Sequence, residues 1–175
     1  ENSSVIRFST QIINSKGEII SNIFTHPQIE SKIDFINRKF SKKTRSSLSE
    51  HIFKKETILN IGFTDLPLAW HSDDLVIIEF SKDTPIYSIN EALVYVRVSQ
   101  YSITGVDNNI KLKSRSTQKF ILQYLLPLEG KLTTETLTEL HKKMNYAFVY
   151  DKSFINYFKI AFYYIFQFKL YEFAR

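Results

Sequence analysis

VIRFSTQIIN at residues 5–14, SKG at 15–17 and EIISNIF at 18–24 form the stretch on which the fold turns. Both flanking runs favour strand, and the three residues between them end in Gly17, which takes positive φ without steric cost. That combination predicts a β-hairpin. Thr25 then stands as an N-cap and Pro27 suits a first helical turn, while Ile29, Ile33, Ile36 and Phe40 recur at spacings of four, three and four. The spacing predicts an amphipathic helix with one buried stripe. Ser47 and Glu50, three residues apart, have the form of a capping box that opens a short helix.

A segment at 58–63 and a loop around Pro67 lead to LVIIEF at 75–80, apolar and β-branched enough to predict a buried strand. Hairpin, helix and further strands in this order resemble a β-grasp, or ubiquitin-like, domain over residues 4–82. The resemblance is one of element order, and without a di-glycine tail it implies no conjugation. In the second half, Val94, Val96 and Val98 alternate with Tyr95, Arg97 and Ser99, so 93–103 reads as a half-buried strand. Short strands are predicted at 110–113 and 119–126, the latter closed by Pro127. Thr133 or Thr134 caps a helix carrying Leu137, Leu140 and Met144 and ended by Asn145; 146–150 (YAFVY) is a strand candidate, and Asp151 caps a last helix. The expectation is an α+β fold, a mainly antiparallel sheet with about four helices. Residues 1–175 read as one globular domain or a fragment of a larger protein, with 1–84 and 85–175 as candidate sub-units.

With 175 residues, no Cys and only four Gly, at least 25 positions apart, the chain has no thiol chemistry, dinucleotide fingerprint or P-loop. No cofactor is implied. Scarce Gly and Pro beside abundant Ile, Lys, Asn, Phe and Tyr fit an AT-rich genome and suggest a pathogen or viral source. No charged leader with an apolar run opens the sequence, which predicts an intracellular, cytoplasmic location. The net charge of +5 is laid out as basic flanks around an acidic middle at 61–92. Either the fold presents two patches of opposite sign, or its segments neutralise one another.

Half of the Phe, Tyr and Trp residues fall in the last thirty positions. Between 152 and 168, Phe154, Ile155, Phe158, Ala161, Phe162 and Ile165 share one helical face, predicted to pack on the core. Ser153, Asn156, Tyr157, Tyr164 and Gln167 lie opposite. Only 160–168 is free of charge, too short for a span that needs about 20 residues, and a polar face of Tyr and Asn argues against a membrane surface.

The densest polar group is Asp65, His71, Asp73, Asp74, Glu79, Lys82 and Asp83. Asp65, Glu79 and Lys82 resemble the Asp, Glu and Lys of a restriction-type nuclease. Glu79 and Lys82 are nevertheless three apart and would fall on opposite faces of a strand. Asp73, Asp74 and Glu79 offer hard oxygen ligands for Mg²⁺. Arg7 with Ser9 and Thr10 resembles the strand Arg and Ser-Thr element of ADP-ribosyltransferases, although that family keeps the two on separate strands and its late Glu motif is missing, and Arg7 reads more simply as an outward strand residue. Arg38, Lys39, Lys42, Lys43 and Arg45 form a basic ridge at a helix end, where cations also complement the dipole. Lys111, Lys113, Arg115 and Lys119, near Tyr95 and Tyr101 in sequence, would suit a strand face that holds single-stranded nucleic acid. Three functions follow. The foremost is a non-enzymatic binding module with a protein partner, using Tyr157 and Tyr164 or the basic ridge. The others are a metal-dependent nuclease or phosphoesterase built on the acidic 65–83 segment, and a nucleic-acid-binding domain.

Overall fold

The computed structural model describes residues 3–98, 109–152 and 154–166. Its elements in chain order are β1 (Val5–Ile13), β2 (Ile29–Glu30), α1 (Lys32–Phe40), β3 (His51–Phe53), α2 (Lys55–Ile61), α3 (Ser72–Phe80), β4 (Ile86–Arg97), α4 (Ile110–Phe120), α5 (Thr134–Tyr150) and α6 (Phe154–Phe166). The fold is α+β, with six α-helices and one four-stranded sheet of order β2-β4-β1-β3 among the described residues. Two of the three pairings are antiparallel; the longest, β1 with β4, is parallel and runs from Val5↔Ile86 to Ile13↔Arg97. Strands from 1–84 and from 85–175 therefore lie side by side.

The turn at Gly17 forms as its sequence demands. Gly17 has φ +89°, and the Asn14 side-chain oxygen accepts from the backbone N–H of Lys16 and of Glu18. The returning segment pairs with β1 only at isolated bridges, Ile13↔Ile19 and Thr10↔Phe24. Between them the Ser21 hydroxyl accepts from the Ile12 N–H, so a side chain takes the place of a ladder bond. A register shift follows Phe8, whose partner is Ile89 while Ser9 pairs with Leu93. Asn90, Glu91 and Ala92 bulge out, and the Asn90 amide closes two bonds to the His26 backbone, 3.0 and 2.8 Å long.

The first helix starts later than predicted. Ser31 is its N-cap, accepting from Asp34 N–H, and Ile29 sits in β2, while Ile36 and Phe40 keep the expected buried stripe. Ser47 and Glu50 open a single 3₁₀ turn, Leu48–Glu50, which leads into β3 instead of a longer helix. The largest correction is 75–80, which is helix α3: Asp74, Leu75, Val76, Ile77, Ile78 and Phe80 are all buried. A helix buried on every side has no amphipathic period, so its apolar run matches a buried strand equally well. The β-grasp order fails at this element. The predicted strands at 110–113 and 119–126 are instead α4 and the π turn Ile121–Leu125 that continues it. Thr133 caps α5 as expected, accepting from Thr136 N–H. That helix runs through Asn145 and 146–150 to Tyr150, and Asp151 is its C-cap instead of the N-cap of α6. Residues 99–103 of the predicted long strand lie outside the described residues.

One core joins the sheet to the helices. Val5 and Ile86 meet Phe35, Ile36 and Phe40 of α1, the α3 side chains, Phe120, Ile121 and Leu125, and Leu140 and Met144 of α5. Asn37 ties α1 to α5 by accepting from Thr133 N–H and, through its carbonyl, from the Thr136 hydroxyl.

Candidate functional site

The sheet buries a charge network. Arg7 is fully buried, contrary to the outward placement its strand position suggests, and its Nε and Nη2 donate to Glu50 Oε1 at 3.2 and 3.0 Å. Nη2 also donates to the Arg45 carbonyl, and the guanidinium lies 5.5 Å from the Phe35 ring centroid. Arg45 and Ser47 donate to the other Glu50 oxygen, and Arg38 donates to Glu30 at 2.8 Å. Burial pushes the Arg7 pKa down against the pull of Glu50, and pushes Glu30 up against Arg38. His26 and His51, beside this network, are held at about 3 by burial and then by the charge of Arg7. Ser9 and Thr10 are buried with Arg7, so the three resemble the transferase motif in sequence but open no surface cleft.

Each member of the basic ridge has an acidic partner. Arg38 pairs with Glu30, Lys39 with Asp74 at 3.3 Å, Lys42 with Glu139, Lys43 with Glu135 and Arg45 with Glu50. The ridge thus joins α1 to β2, α3 and α5. Lys111, Lys113, Arg115 and Lys119 lie on α4, not on a strand. Arg115 pairs with Asp151, Lys119 reaches the Asp65 carbonyl, and the buried Lys113 lies 5.0 Å from the Trp70 ring centroid. Tyr95 is exposed on β4, and Tyr101 lies outside the described residues.

The acidic segment divides. Asp65 is exposed, and Glu79 accepts from the Thr64 hydroxyl at 3.0 Å. Among the described residues no three His, Asp or Glu side chains are placed to hold a metal ion. Asp73 is raised by burial and by its neighbour Asp74. Burial also acts to raise Asp74, yet hydrogen bonds and charge from His71 and Lys39 outweigh it and leave its pKa lowered.

His71, Asp74 and a residue the sequence did not flag, Thr117, come together. His71 Nδ1 is 3.3 Å from Asp74 Oδ2, and His71 Nε2 is 3.1 Å from Thr117 Oγ1. The imidazole stacks on Phe120, with centroids 4.8 Å apart and planes at 10°. The backbone that presents it is unusual: Leu68, Ala69 and His71 all have positive φ, at 60°, 52° and 69°, although none is Gly. Trp70 is fixed between them by the Ser116 hydroxyl, which donates to its carbonyl at 2.5 Å. Thr117 lies 46 positions from His71, and only the polar run SRST at 114–117 could have drawn attention to it.

At the helical end, Gln118 is fully buried and donates to the carbonyls of Ala147 and Asp151 while accepting from Asn156 of α6 at 2.7 Å. This turns Asn156 and Ile160 inward. Phe158, Phe162 and Ile165, predicted to face the core, point outward at 67%, 62% and 52% exposure. Tyr157 is exposed and packs on Phe148; Tyr146, Val149 and Tyr150 are exposed on α5, with the Tyr146 and Tyr150 rings 5.0 Å apart. The side chain of Tyr164 lies outside the described residues. No described helix is long and apolar enough to cross a membrane. In comparisons with known proteins, no family model, curated protein or solved structure matches the chain.

Proposed function

We propose that the chain is a protein-binding module whose contact face is the exposed aromatic stripe of α6. One observation carries this reading. Phe158, Phe162 and Ile165, at spacings of four and three, make an apolar stripe that faces solvent, with the exposed Tyr157 ring packed against Phe158. Exposed apolar groups grouped this way mark contact surfaces, and aromatic side chains are the usual anchors of such interfaces. The two other readings have less support. The carboxylates of 65–83 are not grouped around a common point, and the cations expected on a strand lie on α4, where Arg115 is paired with Asp151 and Lys113 is buried.

Photo-crosslinking tests the proposal. A benzophenone amino acid in place of Phe158 gives a discrete heavier adduct in cells of the native source, lost when Phe162 is changed to Lys. The same probe at Leu59 on α2, also exposed at 73%, gives none. Equal adducts at both positions would overturn the reading.

A further inference from the structure

We propose that Thr117 is an activated hydroxyl, with its Oγ1 as the nucleophile of an acyl-transfer reaction, His71 as its general base and Asp74 as the residue that orients the base. The imidazole bridges the carboxylate and the hydroxyl through its two nitrogens. Asp74 Oδ2 faces His71 Nδ1 at 3.3 Å, and Thr117 Oγ1 faces His71 Nε2 at 3.1 Å. A carboxylate on Nδ1 selects the tautomer in which that nitrogen carries the proton, leaving the Nε2 lone pair for the hydroxyl.

The surroundings fix each member. Asp74 is 3% exposed and bound from its other side by Lys39, 3.3 Å from Oδ1, so it cannot swing away. His71 is held by its stack on Phe120 and by a left-handed backbone that an ordinary turn would not require. Thr117 differs from Thr138 of α5, whose hydroxyl donates to the Thr134 carbonyl of its own helix, as an ordinary helical threonine does. Thr117 is half-buried and the His71 side chain keeps 13% exposure, so neither member of the pair is sealed from solvent.

The chemistry balances without a co-reactant other than water. Thr117 Oγ1 adds to the carbonyl carbon of a carboxylic ester while its proton passes to His71 Nε2. The bond to the leaving alcohol breaks, and the proton on Nε2 goes to the departing oxygen, leaving the acyl group esterified on Thr117. Water then attacks that ester while His71 Nε2 takes its proton, the bond from the acyl carbon to Thr117 Oγ1 breaks, that proton returns to Oγ1, and the acid is released.

The probe is p-nitrophenyl acetate with the full chain, read by intact mass and by peptide mapping of the adduct. The expected result is a single 42 Da acetyl adduct on Thr117, retained in Thr117→Ser. His71→Gln should slow its formation by about 100-fold, as loss of a general base does. Thr117→Val, checked for an unchanged melting temperature, should abolish that adduct. An adduct confined to lysines or to His71, equal labelling in Thr117→Val, or, in the unaltered chain, neither an adduct nor p-nitrophenolate release above that of Thr117→Val would each overturn the assignment. If His71→Gln unfolds the chain, the Ser and Val variants still decide it.

Discussion

The two ends of the molecule sort their side chains in opposite senses. Around β1, Arg7, Glu30 and Glu50 are at most 3% exposed, whereas on α6 the rings of Phe158 and Phe162 are mostly in solvent. Hydropathy alone would invert both. At the sheet end every buried charge has a counter-charge within reach, so burial is set by pairing. At the helical end α6 is apolar almost all round, and the hydrogen bond between Asn156 and Gln118 decides which side turns inward.

The largest effect should come from breaking a buried pair. Glu50→Ala leaves Arg7 with its main partner gone and is expected to cost about 3–5 kcal/mol in urea unfolding. Pairing it with Arg7→Met should recover most of that loss, and no recovery would show that the network stabilises through more than charge matching.

Acidification tests the same end. The folded-state pKa values of His26 and His51 are about 3, below the ordinary value of 6.5, so below pH 6.5 the unfolded chain binds the extra protons. Stability supplied by the neutral rings is complete above pH 6.5 and falls as the pH drops toward 3, by about 1.4 kcal/mol per pH unit for each histidine. Glu30 and Asp73, whose pKa values are raised, act in the opposite sense. The informative quantity is therefore the slope lost in His26→Gln, from unfolding curves between pH 7 and 5; an unchanged slope would remove the histidine from the account.

Changes at the helical end should be smaller. Gln118→Ala strands two carbonyls and the Asn156 amide, for an expected loss of about 2 kcal/mol, and Ile160→Ala should cost a similar amount. Phe158→Ser should stay within about 0.5 kcal/mol by thermal melting. If Phe158→Ser cost more than Ile160→Ala, the helix would be facing the other way and the contrast between the two ends would fail.

What could be read in advance follows from range. The turn at Gly17, the cap at Thr133 and the stripe of Ile36 and Phe40 depend on neighbours within four residues, and all three appear. Arg7 finds Glu50 across 43 positions and His71 finds Thr117 across 46, and nothing local encodes such meetings. Helix α3 was ambiguous for a different reason, since burial on all sides erases the period that distinguishes helix from strand.

The parallel pairing of β1 with β4 also bears on synthesis. Val5 pairs with Ile86, 81 positions later, and Ile13 with Arg97. At roughly 5–20 residues per second, β1 leaves the ribosome about 4–16 s before its main partner is made. During that interval the return after Gly17 and the three residues of β3 can cover one edge of β1, while the edge that β4 will take stays open to pairing with other chains until β4 emerges.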